Sequence, residues 1–180
     1  MKLNREYKKI TSCILNNENF VLLKNDIHHG TTKYAHCKRV SYLSYLIAKI
    51  FKANHREVAR AGLLHDFFYG SRTAKEENSY LKHPITSAQN AEKYFNLKES
   101  EKHIIETHMY HNALFKNMLP FATKEEKNYF ENYKPTSKES KIVCISDLLV
   151  SLFEVITYKV KYSCALYMIF LMNVIIIKIY

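Results

Sequence analysis

A histidine and an aspartate stand side by side at the end of an apolar run, Ala61-Gly62-Leu63-Leu64-His65-Asp66-Phe67-Phe68. This stretch restricts the fold more than any other. A carboxylate drawn into a core needs a cation or a hydrogen-bond network to answer it. Val58, Ala61, Gly62 and His65 share one side of a short helix expected over about 56–65, and small Ala61 and Gly62 permit a close approach to a neighbouring helix. The same interruption recurs at His36 before this run and at His83, His108 and Asp147 after it. The fold must therefore gather polar side chains from several separated apolar segments.

Those segments read as helices. Leu3, Tyr7, Ile10 and Ile14 have helical spacing over 2–15, and a short segment follows at 18–24. Thr31 and Thr32 suit the cap of a helix over 33–51, with Val40, Leu43, Ile47 and Ile50 as its inner stripe and His36 on the same stripe. His83-Pro84 opens another helix, since proline is tolerated in a first turn. Further helices are expected over 99–111, with His108 pointing inward, and near 123–132. A helix starting at Ser137 or Ser140 has Ile142, Ile145, Leu149, Leu152 and Ile156 outlining its buried side and Val143, Asp147 and Val150 on an adjoining stripe. Residues 67–82 lack a period and read as a loop capping a site. Three glycines and three prolines in 180 residues argue against a turn-rich sheet. The expected class is all-α: one helical domain over 1–160, then an apolar C-terminal helix over 161–180, packed on it or at a homo-oligomer interface.

The run from Cys164 to Ile177 is apolar except for Asn173, and its fourteen residues fall short of the roughly 18–20 that cross a bilayer. Membrane association through 162–180 is the minority reading. Cys13, Cys37, Cys144 and Cys164 form no CxxC pair, and with no signal peptide in view they read as reduced thiols of a cytoplasmic protein. The net charge of +10 suits phosphorylated substrates, nucleic acid or an acidic membrane surface. With no recognition-helix or zinc-finger pattern, specific nucleic-acid binding is not expected.

Imidazole nitrogens with carboxylate oxygens suit a divalent ion of iron, manganese, nickel or zinc. His65 and Asp66 point in different directions about a helix axis, so both reach one centre only if the helix ends there. His36 and Asp147, from other helices, complete that shell. His83 and His108 can join Asp66 around a second ion, with Asp66 as the bridge and a metal-activated water as nucleophile. His111, three residues from His108, is open to three readings: a further ligand, a proton donor to the leaving oxygen, or a fraying helix end. His28 and His29, beside Gly30, read as exposed loop histidines.

The order of His36, His65-Asp66 in AGLLHDFF and Asp147 in KIVCISDLLVSLFEV resembles the HD-domain metal-dependent phosphohydrolase superfamily over about residues 32–157. The resemblance implies an HD-type helical domain in which His36, His65, Asp66 and Asp147 bind metal. His83 in LKHPITSAQNAEKYF and His108 in IIETHMYHN resemble its two-metal branch, nearest the small bacterial members (YqeK-like) that include symmetrical dinucleoside tetraphosphate hydrolases. No Gly-Tyr-Pro follows, unlike the cyclic-dinucleotide phosphodiesterases of that branch.

The implied activity is hydrolysis of a phosphate ester or anhydride in a nucleotide-like or small phosphorylated substrate. Asp66, His111, Arg39 and Arg72 are its candidate catalytic groups. Lys33, Lys38, Lys75 and Lys82 are further rim cations, although arginine matches phosphate geometry better. Phe67, Phe68 and Tyr69 suit either stacking on a base or packing. The rival function is a metal-stabilised module that binds or senses a nucleotide without hydrolysing it, and a third is a membrane-tethered phosphohydrolase.

Overall fold

The computed structural model describes residues 4–28, 30–70, 81–118 and 122–179. In order they form α1 (Arg5–Leu15), α2 (Glu18–Val21), a 3₁₀ turn (Leu22–Lys24), β1 (Ile27–His28), β2 (Thr31–Thr32), α3 (Lys33–Ile50), α4 (His55–Leu64), α5 (His83–Tyr94), α6 (Glu99–Glu106), α7 (Tyr110–Asn117), α8 (Lys124–Asn132) and α9 (Lys138–Ile179). The all-α expectation holds, with one two-residue antiparallel ladder between β1 and β2 as the sole strand pairing among the described residues. Caps fall where short polar residues offer an acceptor. Thr32 Oγ1 accepts from Ala35 N at 3.2 Å to start α3, and Thr123 with Glu126 forms a capping box on α8.

Helix α4 sits at the centre, packed against α1, α3, α6 and α9. Cys37, Val40, Val58, Leu63, Leu64, Phe67, Ile104 and Val143 belong to one buried apolar cluster around it. The α3–α4 crossing is close because Gly62 has no side chain: a Cβ there would lie 2.9 Å from the Ser41 Cα. Ser41 Oγ donates to Ala59 O at 2.6 Å and accepts from Tyr7 Oη at 2.8 Å, so the small polar residue at the crossing is satisfied.

Two stripes differ from expectation. On α3 the buried face is His36, Cys37, Val40, Ser41, Ser44, Tyr45 and Ala48, whereas Ile50 is exposed and Leu43 and Ile47 are only half-buried. Small Ser41 faces α4 because the helices approach too closely there for leucine. On α9 the stripe Val143, Asp147, Val150 and Glu154 is buried, and Ile145, Leu149, Leu152 and Ile156, expected inside, are exposed. Turning Asp147 and Glu154 inward commits the helix to that rotation.

Helix α9 has 42 residues, about 63 Å at the usual rise. The separate C-terminal helix expected over 161–180 is instead the continuation of α9, and residues 158–166 are exposed. Among the described residues, no helix is long and apolar enough to cross a membrane. Gly30, at φ 77°, lies where any Cβ would run into the Tyr158 ring of α9.

Candidate metal centre

The end of α4 delivers the first donors. His65 is the C-cap of that helix, and its Nδ1–H donates to the Gly62 carbonyl at 2.9 Å. The carbonyl can only accept, so Nε2 carries the lone pair. Asp66 follows in a turn closed by Phe67 N to Leu64 O at 3.1 Å and Phe68 N to Asp66 O at 2.8 Å. The helix thus stops at the site, as two adjacent donors require.

His36 arrives from α3 and Asp147 from α9. His36 Nε2 lies 3.3 Å from His65 Nε2 and 3.1 Å from Asp147 Oδ1, and His65 Nε2 lies 3.6 Å from the same oxygen. His36 Nδ1 donates to Glu154 Oε2 at 2.9 Å. With both Nδ1 atoms donating elsewhere, two neutral rings would confront each other with lone pairs. A positive charge must lie between them, either a proton or a metal ion.

The second group is built from a helix start and a turn. His83 is the first residue of α5, ahead of Pro84. His108, expected on a helix over 99–111, occupies a turn instead, because α6 ends at Glu106 and α7 begins at Tyr110. Its Nδ1–H donates to Ile105 O at 2.7 Å, and its Nε2 lies 3.0 Å from His83 Nε2.

Asp66 stands between the groups. Its Oδ2 is 3.9 Å from His36 Nε2 and 3.8 Å from His65 Nε2, while its Oδ1 is 3.1 Å from His83 Nε2 and 3.7 Å from His108 Nε2. All six side chains are buried. His36, His65 and Asp147 form one set able to chelate an ion, and His65, Asp66 and His108 form another. Imidazole Nε2 atoms of fixed tautomer with carboxylate oxygens on separate elements fit a divalent transition metal.

The electrostatics differ between the sets. Burial works to depress the His36 pKa, but the Asp147 and Glu154 carboxylates outweigh it and hold it up at about 9. Burial likewise opposes ionisation of Asp147, yet His36 and His65 beside it keep it well below the usual carboxylate range. His108 is pushed well down by burial and by neighbouring His65 and His83.

The remaining candidates that the sequence suggests fall elsewhere. Neither chelating set includes His111, whose Nδ1 lies 3.1 Å from His108 O and 3.6 Å from Cys144 Sγ. Arg39 is 46 % exposed and pairs with Glu154 Oε1 at 2.7 Å rather than lining the ligand set. Lys33 is no rim cation: it is buried, with Nζ donating to Gly70 O at 2.6 Å and Phe68 O at 3.0 Å and pairing with Asp26 at 3.3 Å. It clamps the turn after Asp66. Phe67 and Phe68 are buried packing residues, and Phe68 lies against His83. Lys82 is exposed, and Lys38 lies over the Tyr34 ring. Arg72, Lys75, His29 and most of the expected lid lie outside the described residues.

Glu154 is a participant that the sequence pattern did not single out. It stands seven residues, two turns, after Asp147 on one stripe, and a second acid in an apolar run was the available signal. A pocket of about 610 Å³ between α1, α3 and α9 is lined by Tyr34, Tyr42, Leu46, Leu149 and Phe153 but by none of the candidate ligands. Apolar volume alone does not mark the chemistry here; the convergent donors do.

Comparison with curated proteins and with solved structures returns no match. The model of the HD domain matches residues 34–152, which contain all six candidate ligands. With two His/Asp sets on a helical frame, consistent with a metal-dependent hydrolase, this chain belongs to the HD-domain family.

Proposed function

We propose that the chain is a metal-dependent phosphohydrolase that cleaves a phosphate ester or anhydride in a nucleotide-like or small phosphorylated substrate. The observation that carries this reading is Asp66, whose two oxygens face different histidine pairs. Divalent ions held there would supply positive charge against phosphoryl oxygens and lower the pKa of water. The protein's own part is positional: His65 and His108 keep their Nε2 atoms turned inward by donating Nδ1–H to the backbone, and Lys33 fixes the turn beside Asp66. The positive net charge favours anionic substrates. A panel of dinucleoside polyphosphates, mononucleotides and simple phosphate esters, assayed with manganese or ferrous iron, tests this. Turnover of at least one class that disappears in Asp66→Ala is expected, and metal-loaded protein that turns over none contradicts it.

The second reading is a binding or sensing module in which metal serves structure. The burial of all six ligands favours it, because a hydrolytic centre must admit substrate and water. Nucleotide binding by calorimetry without product would support it. The exposed apolar residues of α9, Leu149, Leu152, Phe153 and Ile156, suit a homo-oligomer contact in either case.

A further inference from the structure

Glu154 lies just beyond the stretch matched by the family model, yet it is 4 % exposed and reaches the candidate centre. Its two oxygens face different donors: Oε2 accepts from His36 Nδ1 at 2.9 Å and Oε1 accepts from Arg39 Nη1 at 2.7 Å. On the same stripe of α9, Asp147 contacts the other nitrogen of His36 at 3.1 Å. One helix therefore holds the His36 ring by both nitrogens with two carboxylates two turns apart. A carboxylate cannot donate, so Glu154 forces the ring hydrogen onto Nδ1 and leaves Nε2 to face His65 and Asp147. Arg39, 46 % exposed, shares the same carboxylate and also donates to Thr31 Oγ1 at 3.2 Å.

We propose that Glu154 is a positioning residue that fixes the His36 tautomer and strengthens its Nε2 as a metal ligand, with Arg39 moderating that effect by drawing on the same carboxylate. This rests on the metal-centre reading above. A carboxylate behind a ligating imidazole increases electron density on the ring, and losing such a partner costs about 10–100-fold in metal affinity. Arg39 works in the opposite sense: its charge withdraws density from Glu154 and adds a positive charge near the centre. The two residues form one ion pair but act on the metal with opposite signs.

That opposition separates the proposal from a simple structural salt bridge. Glu154→Gln and Arg39→Gln each abolish the ion pair, so a purely structural role predicts the same loss from both. Metal-stripped full-length protein would be titrated with zinc or manganese against a chromophoric chelator, with thermal unfolding followed in parallel. The expected result is a 10–100-fold weaker site in Glu154→Gln and an unchanged or tighter site in Arg39→Gln. Equal weakening in both variants, or no weakening in Glu154→Gln, overturns the role. If Glu154→Gln does not fold, Arg39→Gln alone decides: a tenfold weakening overturns the proposal. Wild-type protein that takes up no metal refutes the underlying centre instead, a different result from any of these.

Discussion

The two donor sets meet at His65, with Asp66 facing both histidine pairs, but they solve different electrostatic problems. Around His36, two buried carboxylates, Asp147 and Glu154, leave excess negative charge, and the metal-free protein answers it with a proton on His36. Around His108, three histidines crowd a single carboxylate, and burial keeps that ring neutral. The lesson is that a metal must displace a proton at the first set, whereas His108 already presents a free lone pair at neutral pH.

The comparison breaks most completely at the carboxylate between the sets. Asp66→Ala is expected to lose both ions and turnover, since the carboxylate whose two oxygens face the two histidine pairs is gone. Elemental analysis showing full metal content would refute the bridge. His83→Ala should be milder, losing one ion while the set of His36, His65 and Asp147 keeps the other. Two ions retained would remove His83 from the site.

A pH series then separates the sets without mutation. In metal-free protein the His36 pKa is about 9 against 6.5 for the free group. The stabilisation from this proton is fully present below pH 6.5 and is lost as pH rises through about 9. It amounts to about 3 kcal/mol. Urea unfolding of stripped protein should show that decline, and metal-loaded protein should not. A flat profile for the stripped form contradicts the charge excess assigned to the first set.

Gly62→Ala tests the crossing that aligns both sets. The new Cβ meets Ser41 backbone at 2.9 Å, an overpacking cost of about 1–3 kcal/mol in thermal or denaturant unfolding. The smallest effect belongs to the outward face of α9. Leu152→Ser should change monomer stability by no more than about 0.5 kcal/mol, whereas the inward stripe expected from its apolar pattern would require several times that.

The helices and the convergence of the candidate donors were legible because both rest on local signals: apolar period, caps, and polar residues that interrupt apolar runs. Helix rotation was not. On α9 the more apolar stripe faces outward, because Asp147 and Glu154 need buried partners and only one face can carry them. A hydrophobic count gives leucine priority over aspartate, whereas the folded chain follows the carboxylates to their histidines. Lys33 escaped for a related reason: nothing local says that a lysine at the start of α3 will be answered by Asp26 and by carbonyls 35 and 37 residues away. The turn holding His108 was hidden by a helical pattern running through Thr107 with no glycine or proline to mark a stop.

At the centre of the molecule, paired Nε2 atoms lie 3.3 Å and 3.0 Å apart, with Asp66 between the two pairs, and we place a cation at each. Counting ions per chain in full-length protein purified without chelator tests this most directly. Two transition-metal ions are expected; protein that carries none, and takes up none when manganese, iron or zinc is supplied, would contradict it.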